Sequence, residues 1–316
     1  MLGYVIRRLS FSVILILAIG TVTTLAVHLA PGDPAFLILG AELSPDPEML
    51  SMVRHKLGLD RSVGQQILDG IYGLVRFDLG ESLRDGRPIL TLVGETLPLS
   101  LVLACTGMLL GIPFGMLLGV IAAVRHNTPV DWAATVIATA GISMPEFVTG
   151  VFLILFFCMR WRLISATSFV SFSEDPVAFL ARLSLPATTL AFAVGSEVAR
   201  MSRSCLLETL RADFVTTARG KGLRESVVLI KHAFRNSLIP VVAMLGVRAG
   251  TVLGRTVLIE AVFNWPGMMS TTIMAARFRD FPVVRGFVVT IAVIFILVNL
   301  GTDLVYRMVD PRIEYN

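Results

Sequence analysis

Apolar residues run in long blocks along this chain, and polar stretches separate them. A helix needs about 20 mainly apolar residues to cross the hydrocarbon of a bilayer. Six blocks have that length: Leu9–Gly32, Thr96–Val124, Trp132–Met159, Ala178–Ala199, Ser237–Val262 and Pro282–Arg307. The first two carry no formal charge, and the third contains only Glu146. The fourth is weaker, with Arg182 and Glu197 near its ends. The fifth holds Arg248, Arg255 and Glu260, and the sixth is free of charge from Gly286 to Thr302. The pattern predicts an all-α membrane protein with six transmembrane helices.

Arg7 and Arg8 precede the first block, as in a secretory signal. A signal core spans only about 7–15 residues, and this block is longer, so it is expected to be a retained anchor. Loop charge orients the spans, because Lys and Arg accumulate on the cytoplasmic side. Residues 200–236 carry eight basic residues against three acids, a net of +5, and residues 33–95 carry six against ten, a net of −4. Both termini and the 200–236 loop are therefore expected in the cytoplasm, and the 33–95 loop outside. Arg160 and Arg162 sit on the outer side against this trend, and the large loop outweighs them.

Composition agrees with the membrane class. The 316-residue chain is 55% hydrophobic and only 16% charged, against about 25% charged in soluble domains. Cys105, Cys158 and Cys205 lie in or beside apolar runs without paired spacing, so neither a disulfide framework nor a metal site is expected. His28, His55, His126 and His232 are scattered. No phosphate-binding loop is present: Gly220-Lys221 is followed by Gly222, not Ser or Thr. No zinc-protease motif or nucleophile elbow appears either. The chain is expected to bind no cofactor or metal and to catalyse nothing itself. The basic loop lacks interleaved aromatics, so lipid headgroups or an acidic protein surface suit it better than nucleic acid.

Two spans carry glycine ridges. Gly107, Gly111, Gly115 and Gly119 repeat every fourth residue in the second span, which predicts close approach of another helix backbone. Gly246, Gly250 and Gly254 form a second ridge in the fifth. At about 100° per residue, Arg248 and Arg255 share a stripe roughly opposite the middle of that ridge. An arginine facing lipid is disfavoured, so these two are expected to line an aqueous path or meet acidic partners. By residue count Glu146 lies at a depth similar to Arg248, and the two are expected to approach each other or to line one aqueous path. Pro145, flanked by Gly141 and Gly150, is expected to kink the third span and to suit a gate.

The stretch "DFVTTARGKGLRESVVLIKHAFRNSLIP", from Asp213 to Pro240, predicts a short helix over Asp213–Ala218, a break at Arg219–Gly222, and a basic helix over Glu225–Asn236 that enters the fifth span. Within it, "TARGKGL" and "KHAFRNSLIP" resemble the signature loop of permease subunits of binding-protein-dependent ABC importers, in their dipeptide/oligopeptide/nickel group. Thr217, Ala218, Arg219, Lys221, Gly222 and Leu223 match the core of the motif, and Arg235, Asn236 and Pro240 its end. Gly220 stands where Ala is usual, and Thr216-Thr217 where the broader consensus has Glu-Ala. Further pieces follow in family order: "MLGYVIRRL", "PGDPA", "LGLD", "DLGESL", "ISMPEF", "LPATTLA", "FNWPGM", "RDFPVVRG" and "DPRIEY". Ser62-Val63 departs from the usual Pro-Leu, and Arg248 and Arg255 stand where neutral residues or Gly are common.

The resemblance implies the transmembrane domain of a type I ABC importer in a bacterial inner membrane. Residues 1–97 would form the N-terminal helix and extracytoplasmic loop. Residues 98–309 would form the core with coupling loop 200–236, and 310–316 a cytoplasmic tail. Thr217, Ala218, Arg219, Lys221, Gly222 and Leu223 would couple to an ATPase. The implied partners are a paralogous permease, two cytoplasmic ATPases that bind ATP and magnesium, and an extracytoplasmic solute-binding protein. Dipeptides or oligopeptides are the expected substrates. Glutathione, an opine, nickel or a metal chelate are the alternatives, and two arginines in the path disfavour a free divalent cation. A stand-alone secondary transporter would show internal repeats, and none is clear.

Overall fold

The computed structural model describes residues 14–23, 25, 47–56, 60–76, 78–164 and 169–309. Their regular elements are helices, with one isolated antiparallel bridge between Glu81 and Pro88. In chain order these are α1 (Ile14–Thr23), α2 (Pro47–Lys56), α3 (Val63–Val75), α4 (Ile89–Val124), α5 (Pro129–Ser143) and α6 (Glu146–Arg160). Then come α7 (Pro176–Leu210), α8 (Asp213–Gly220), α9 (Glu225–Val262), α10 (Met268–Arg277) and α11 (Phe281–Val309). The last turns of α6 (Ile154–Arg160) and an early stretch of α9 (Val228–Phe234) are π-helical.

Among the described residues, four helices are long and apolar enough to cross a membrane: α4, α7, α9 and the Phe281–Thr302 part of α11. They answer to four of the six predicted blocks. The block Trp132–Met159 is not one kinked helix. It is α5 and α6, bent by 106° at the break between them. Proline explains the sharpness. The residue before a proline is driven out of the helical region, and Met144 is extended at φ −84°, ψ 128°. Pro145 then serves as N-cap of α6. Glu146 lies in the first turn of α6, where a negative charge meets the positive end of the helix dipole. Of Leu9–Gly32 only the short apolar helix α1 and Leu25 are described. "MLGYVIRRL", "PGDPA", most of "LGLD", "DPRIEY" and the 310–316 tail lie outside the described residues, and with them the expected positions of both termini.

The chain divides into two compact units, residues 1–98 with 267–297 and residues 99–266 with 298–316. The core of the first unit gathers Ile89, Val93, Met268, Ala275, Val283 and Phe287, with Leu79 and Leu92 against it. A polar knot locks this unit. Asp280, 4% exposed, accepts hydrogen bonds from the Ser82 hydroxyl at 2.5 Å and the Leu83 amide at 3.2 Å. Gly80 (φ 83°) and Gly86 (φ 68°) let the 80–89 segment turn back on itself, so that the Ile89 amide reaches the Gly80 carbonyl at 2.9 Å. The Arg84 guanidinium stacks on Phe278 at 4.0 Å. The pieces "DLGESL" and "RDFPVVRG", far apart in sequence, are therefore one structure.

The second unit is built around α7. Asp175 caps its start by accepting from the amides of Val177 and Ala178, and Pro176 occupies the first turn, where no amide is needed. The most apolar window of α7 is 56% buried, against 28–33% for the other long helices. The block that carries Arg182 and Glu197 near its ends is thus the most enclosed of the four. A helix surrounded by protein is held by small residues and close packing, and it can carry more polar side chains than one facing lipid. The ridge of α4 lies on it. A Cβ on Gly111 would stand 2.7 Å from the Ala191 carbonyl oxygen, on Gly115 2.2 Å from that of Gly195, and on Gly119 2.5 Å from that of Ala199. A Cβ on Gly107 would meet the Leu190 side chain at 2.6 Å. The second ridge is different. Gly250 is buried, whereas among the described residues a Cβ on Gly254 would meet nothing within 4 Å, so the ridge is not packed along its whole length there.

Candidate functional site

Helices α6, α7 and α9 pack together in the second unit, and four charged side chains meet there. Arg255 of α9 donates through Nε to Glu146 Oε1 at 2.5 Å and through Nη1 to Glu197 Oε1 at 3.1 Å. Glu197 lies on α7, and its other oxygen is 3.6 Å from Nε of Arg248. Two cations and two anions thus form one chain, Glu146–Arg255–Glu197–Arg248. Arg255, Glu146 and Glu197 are mostly enclosed, with side chains 23%, 17% and 19% exposed, whereas that of Arg248 is 54% exposed.

The arginines do share a stripe, as their spacing implies. Seven residues are nearly two helical turns, and both side chains reach the same glutamate. Glu146 pairs directly with Arg255 and Arg248 faces Glu197, so Glu146 and Arg248 belong to one chain of charges without a direct bond between them. Residue count along the third block gives depth only if that block is one straight helix. The break at Pro145 turns the chain by 106° between α5 and α6, so residue count no longer measures depth. The fourth apolar block of the sequence ends at Ala199, two residues after Glu197. In the structure α7 runs on to Leu210, which places Glu197 inside the helix, about 20 Å from that end. A sequence signal was present: two arginines two turns apart in a membrane helix need acids or water, and Glu146 is one acid for two cations.

A second buried carboxylate of this unit also escaped the sequence. Asp131 in the first turn of α5, 3% exposed, takes a two-pronged bond from Arg203 of α7 at 2.6 and 2.8 Å, plus the Asn127 amide at 3.0 Å. His126 Nδ1 lies 3.1 Å from the same carboxylate. The left-handed backbone of Asn127, φ 61°, makes the turn that brings these groups together. The cluster ties the start of α5 to α7, through an arginine that lies in the last third of α7.

The basic loop folds as helix, turn, helix. Helix α8 runs to Gly220, two residues beyond the predicted end. Its C-terminus closes in a Schellman motif: the Gly222 amide donates to Arg219 O at 2.9 Å and the Leu223 amide to Ala218 O at 3.4 Å. That motif needs a left-handed residue after the cap, and Gly222 supplies it at φ 77°. Val215 and Ala218 turn inward and join Ala123, Leu206, Val228 and Ala233 in one apolar cluster. Thr217, Arg219, Gly220, Lys221, Gly222 and Leu223 are exposed, as is Phe214. Ala218 of the same motif differs from its neighbours: it is 6% exposed and packs inward. It seats α8 and presents nothing outward. Arg219 bridges to Glu225 at 2.6 Å, and that carboxylate pushes its guanidinium above its ordinary value.

Comparison with known proteins decides what carries this arrangement. Residues 111–315 match the model of the binding-protein-dependent transport system inner membrane component. Residues 1–104 match the model of the N-terminal part of such membrane components. The chain belongs to this family. It is 36% identical over 315 residues, the full length of both chains, to the glutathione transport system permease protein GsiC of Shigella flexneri, and equally to that of Escherichia coli. The fold is similar to an amino acid ABC transporter solved with histidines, at TM-score 0.53 and 14% identity, covering 71% of this chain and 95% of that one. It is also similar to an inward-facing MetNI methionine ABC transporter, at TM-score 0.52 and 19% identity, covering 69% and 94%. The protein is a multi-pass bacterial inner-membrane permease subunit of an ABC importer. It is non-catalytic, since ATP hydrolysis belongs to other subunits of such importers.

Proposed function

We propose that this permease forms half of the path for a small peptide-type substrate with free carboxylates, glutathione among the candidates, and couples its import to ATPase partners. The observation that carries the substrate class is full-length similarity, at 36% identity, to permeases of glutathione transport systems. A path that holds two arginines, one of them 54% exposed, suits an anionic or zwitterionic cargo. Pro145 and the break it caps serve as the gate, where α6 can tilt against α5 while its glutamate holds to Arg255.

In this proposal the exposed edge of α8 and its turn docks on a cytoplasmic ATPase. Thr217, Arg219, Lys221, Gly222 and Leu223 make that surface, and Ala218 supports it from behind. A paralogous permease completes the path, a second ATPase completes the motor, and an extracytoplasmic binding protein delivers substrate. ATP and magnesium stay on the ATPases. The N-terminal region 1–97 frames the outer face, 98–309 the core with loop 200–236, and 310–316 the tail.

The experiment is uptake in cells stripped of other peptide and glutathione importers and given this permease with its genomic partners. Labelled glutathione and a labelled dipeptide are offered in turn. Uptake of either that stops when the partner ATPase is deleted is the expected result. Uptake that persists on an ion gradient alone, or no uptake of either compound, overturns the proposal.

A further inference from the structure

The four charges of the α6–α7–α9 node are not equivalent. Arg255 is satisfied, with two carboxylates on two nitrogens at 2.5 and 3.1 Å. Arg248 is not. A guanidinium has five N–H donors in a planar fork, and among the described residues the acidic partner of Arg248 is Glu197 at 3.6 Å, beyond hydrogen-bond reach. The side chain is 54% exposed. Arg248 stands about 20 Å along the helix from Arg235, within a long apolar helix. An open guanidinium at that position is strongly disfavoured in hydrocarbon and needs water or a polar ligand.

Glu197 is the counterpart. One oxygen is committed to Arg255, and the other faces Arg248 without a close bond. A loose cation and a half-committed anion therefore sit side by side. The node as a whole is neutral, so it matches a ligand head that carries one charge of each sign better than a head that carries a single charge.

We propose that Arg248 and Glu197 are a contact point for the zwitterionic amino-acid head of a peptide in transit. The fork of Arg248 takes the substrate carboxylate through two parallel N–H···O bonds. The free oxygen of Glu197 accepts a bond from the substrate ammonium, while Arg255 keeps Glu197 in place. The weak 3.6 Å contact is exchanged for two charge-assisted ones when substrate arrives, and it re-forms when substrate leaves. Arg255 and Glu146 fix the position of the site and do not touch cargo. This inference rests on the proposed import of a peptide-type substrate.

The test uses the complete importer in proteoliposomes, with both permeases, both ATPases and liganded binding protein. Glutathione or dipeptide uptake and ATP hydrolysis are measured in the same vesicles. The expected result for Arg248→Gln is about a tenfold fall in substrate moved per ATP hydrolysed, the scale of one lost charge-assisted contact. Arg248→Lys, which keeps the charge and loses the fork, is expected to recover part of that ratio. An unchanged ratio in Arg248→Gln, with the native importer active, overturns the contact and leaves the import proposal standing. Loss of stimulated ATP hydrolysis in step with uptake also overturns it, because Arg248 would then serve the structure and not the cargo. A native importer that moves neither compound overturns the underlying substrate proposal.

Discussion

Arg255 ties Glu146, the first residue after the helix break, to Glu197 inside α7, with nitrogen–oxygen distances of 2.5 and 3.1 Å. One guanidinium thereby holds three helices. Removing one partner of an enclosed ion pair destabilises by about 3–5 kcal/mol, because a charge is left without compensation. Arg255→Leu leaves two carboxylates facing each other and is expected to lower the melting temperature of the detergent-purified importer markedly. Arg255→Lys is expected to fall between, since an ammonium is a point charge and cannot fork to both glutamates. Glu146→Gln combined with Arg255→Gln is expected to melt above Arg255→Leu. Thermal unfolding followed by size-exclusion chromatography reads all three, and equal melting of Arg255→Leu and native protein rules out the clasp.

The glycines of α4 and α9 separate by the space before them. A Cβ at Gly115 would stand 2.2 Å from the Gly195 carbonyl oxygen, and backbone cannot retreat without moving a helix. Gly115→Ala is expected to destabilise the importer by about 1–3 kcal/mol, as overpacking does, and Gly115→Leu to prevent its assembly. At Gly254 a Cβ meets nothing within 4 Å. Gly254→Ala is expected to be harmless, or to stabilise by up to about 1 kcal/mol through helix propensity. The yield of assembled complex after detergent extraction distinguishes the two positions, and equal yields would rule out the packing role of the α4 ridge.

These contrasts show where the sequence was legible. Apolar length sufficed for α4, α7, α9 and α11 despite a few charges in α7 and α9, because a bilayer imposes a length that composition alone reveals. The repeat Gly107–Gly111–Gly115–Gly119 was legible because four small residues in helical register have few other uses. The same spacing at Gly246–Gly250–Gly254 did not imply the same packing, since spacing cannot say which side of a helix a neighbour covers. Glu146 pairs with Arg255 and not Arg248 for a geometric reason: residue count measures path length, and path length equals depth only in a straight helix. Glu197 and Asp131 were missed because their partners lie 58 and 72 residues away. The buried role of Ala218 was hidden inside a motif that reads as one surface, and only the 3.6-residue period divides it into an inner and an outer face.

The bond between Ser82 and Asp280 also spans a long stretch of sequence. Asp280 accepts from the Ser82 hydroxyl and the Leu83 amide, so its loss leaves two donors of the 80–89 segment without an acceptor. An unsatisfied buried polar group costs about 1–3 kcal/mol. Asp280→Ala is expected to free the 80–89 segment locally and speed its cleavage by protease, while the second unit melts as before. Asp280→Asn keeps one acceptor oxygen and is expected to be cut at an intermediate rate. Identical cleavage of native and Asp280→Ala protein rules out the tie.

The turn at Gly222 permits a sharper test, because it separates the fold of the loop from its surface. Gly222 is left-handed at φ 77° with nothing within 4 Å of a Cβ. A side chain there meets no clash, only backbone strain of about 1–2 kcal/mol, confined to one exposed turn. Gly222→Asp is therefore expected to insert and assemble normally. Its carboxylate would stand beside Lys221 and Leu223 on the face proposed to meet the ATPase, and import is expected to fall while ATP hydrolysis continues. Val215→Asp is the opposite case. Val215 is fully buried among Ala123, Leu206 and Val228, so an acid there is expected to unseat α8 and reduce the assembled protein itself. Glu225→Gln removes only an exposed partner of Arg219 and is expected to leave both stability and import close to native. Docking through the turn requires that order of effects. Normal import in Gly222→Asp vesicles would show that the ATPase grips another part of the loop.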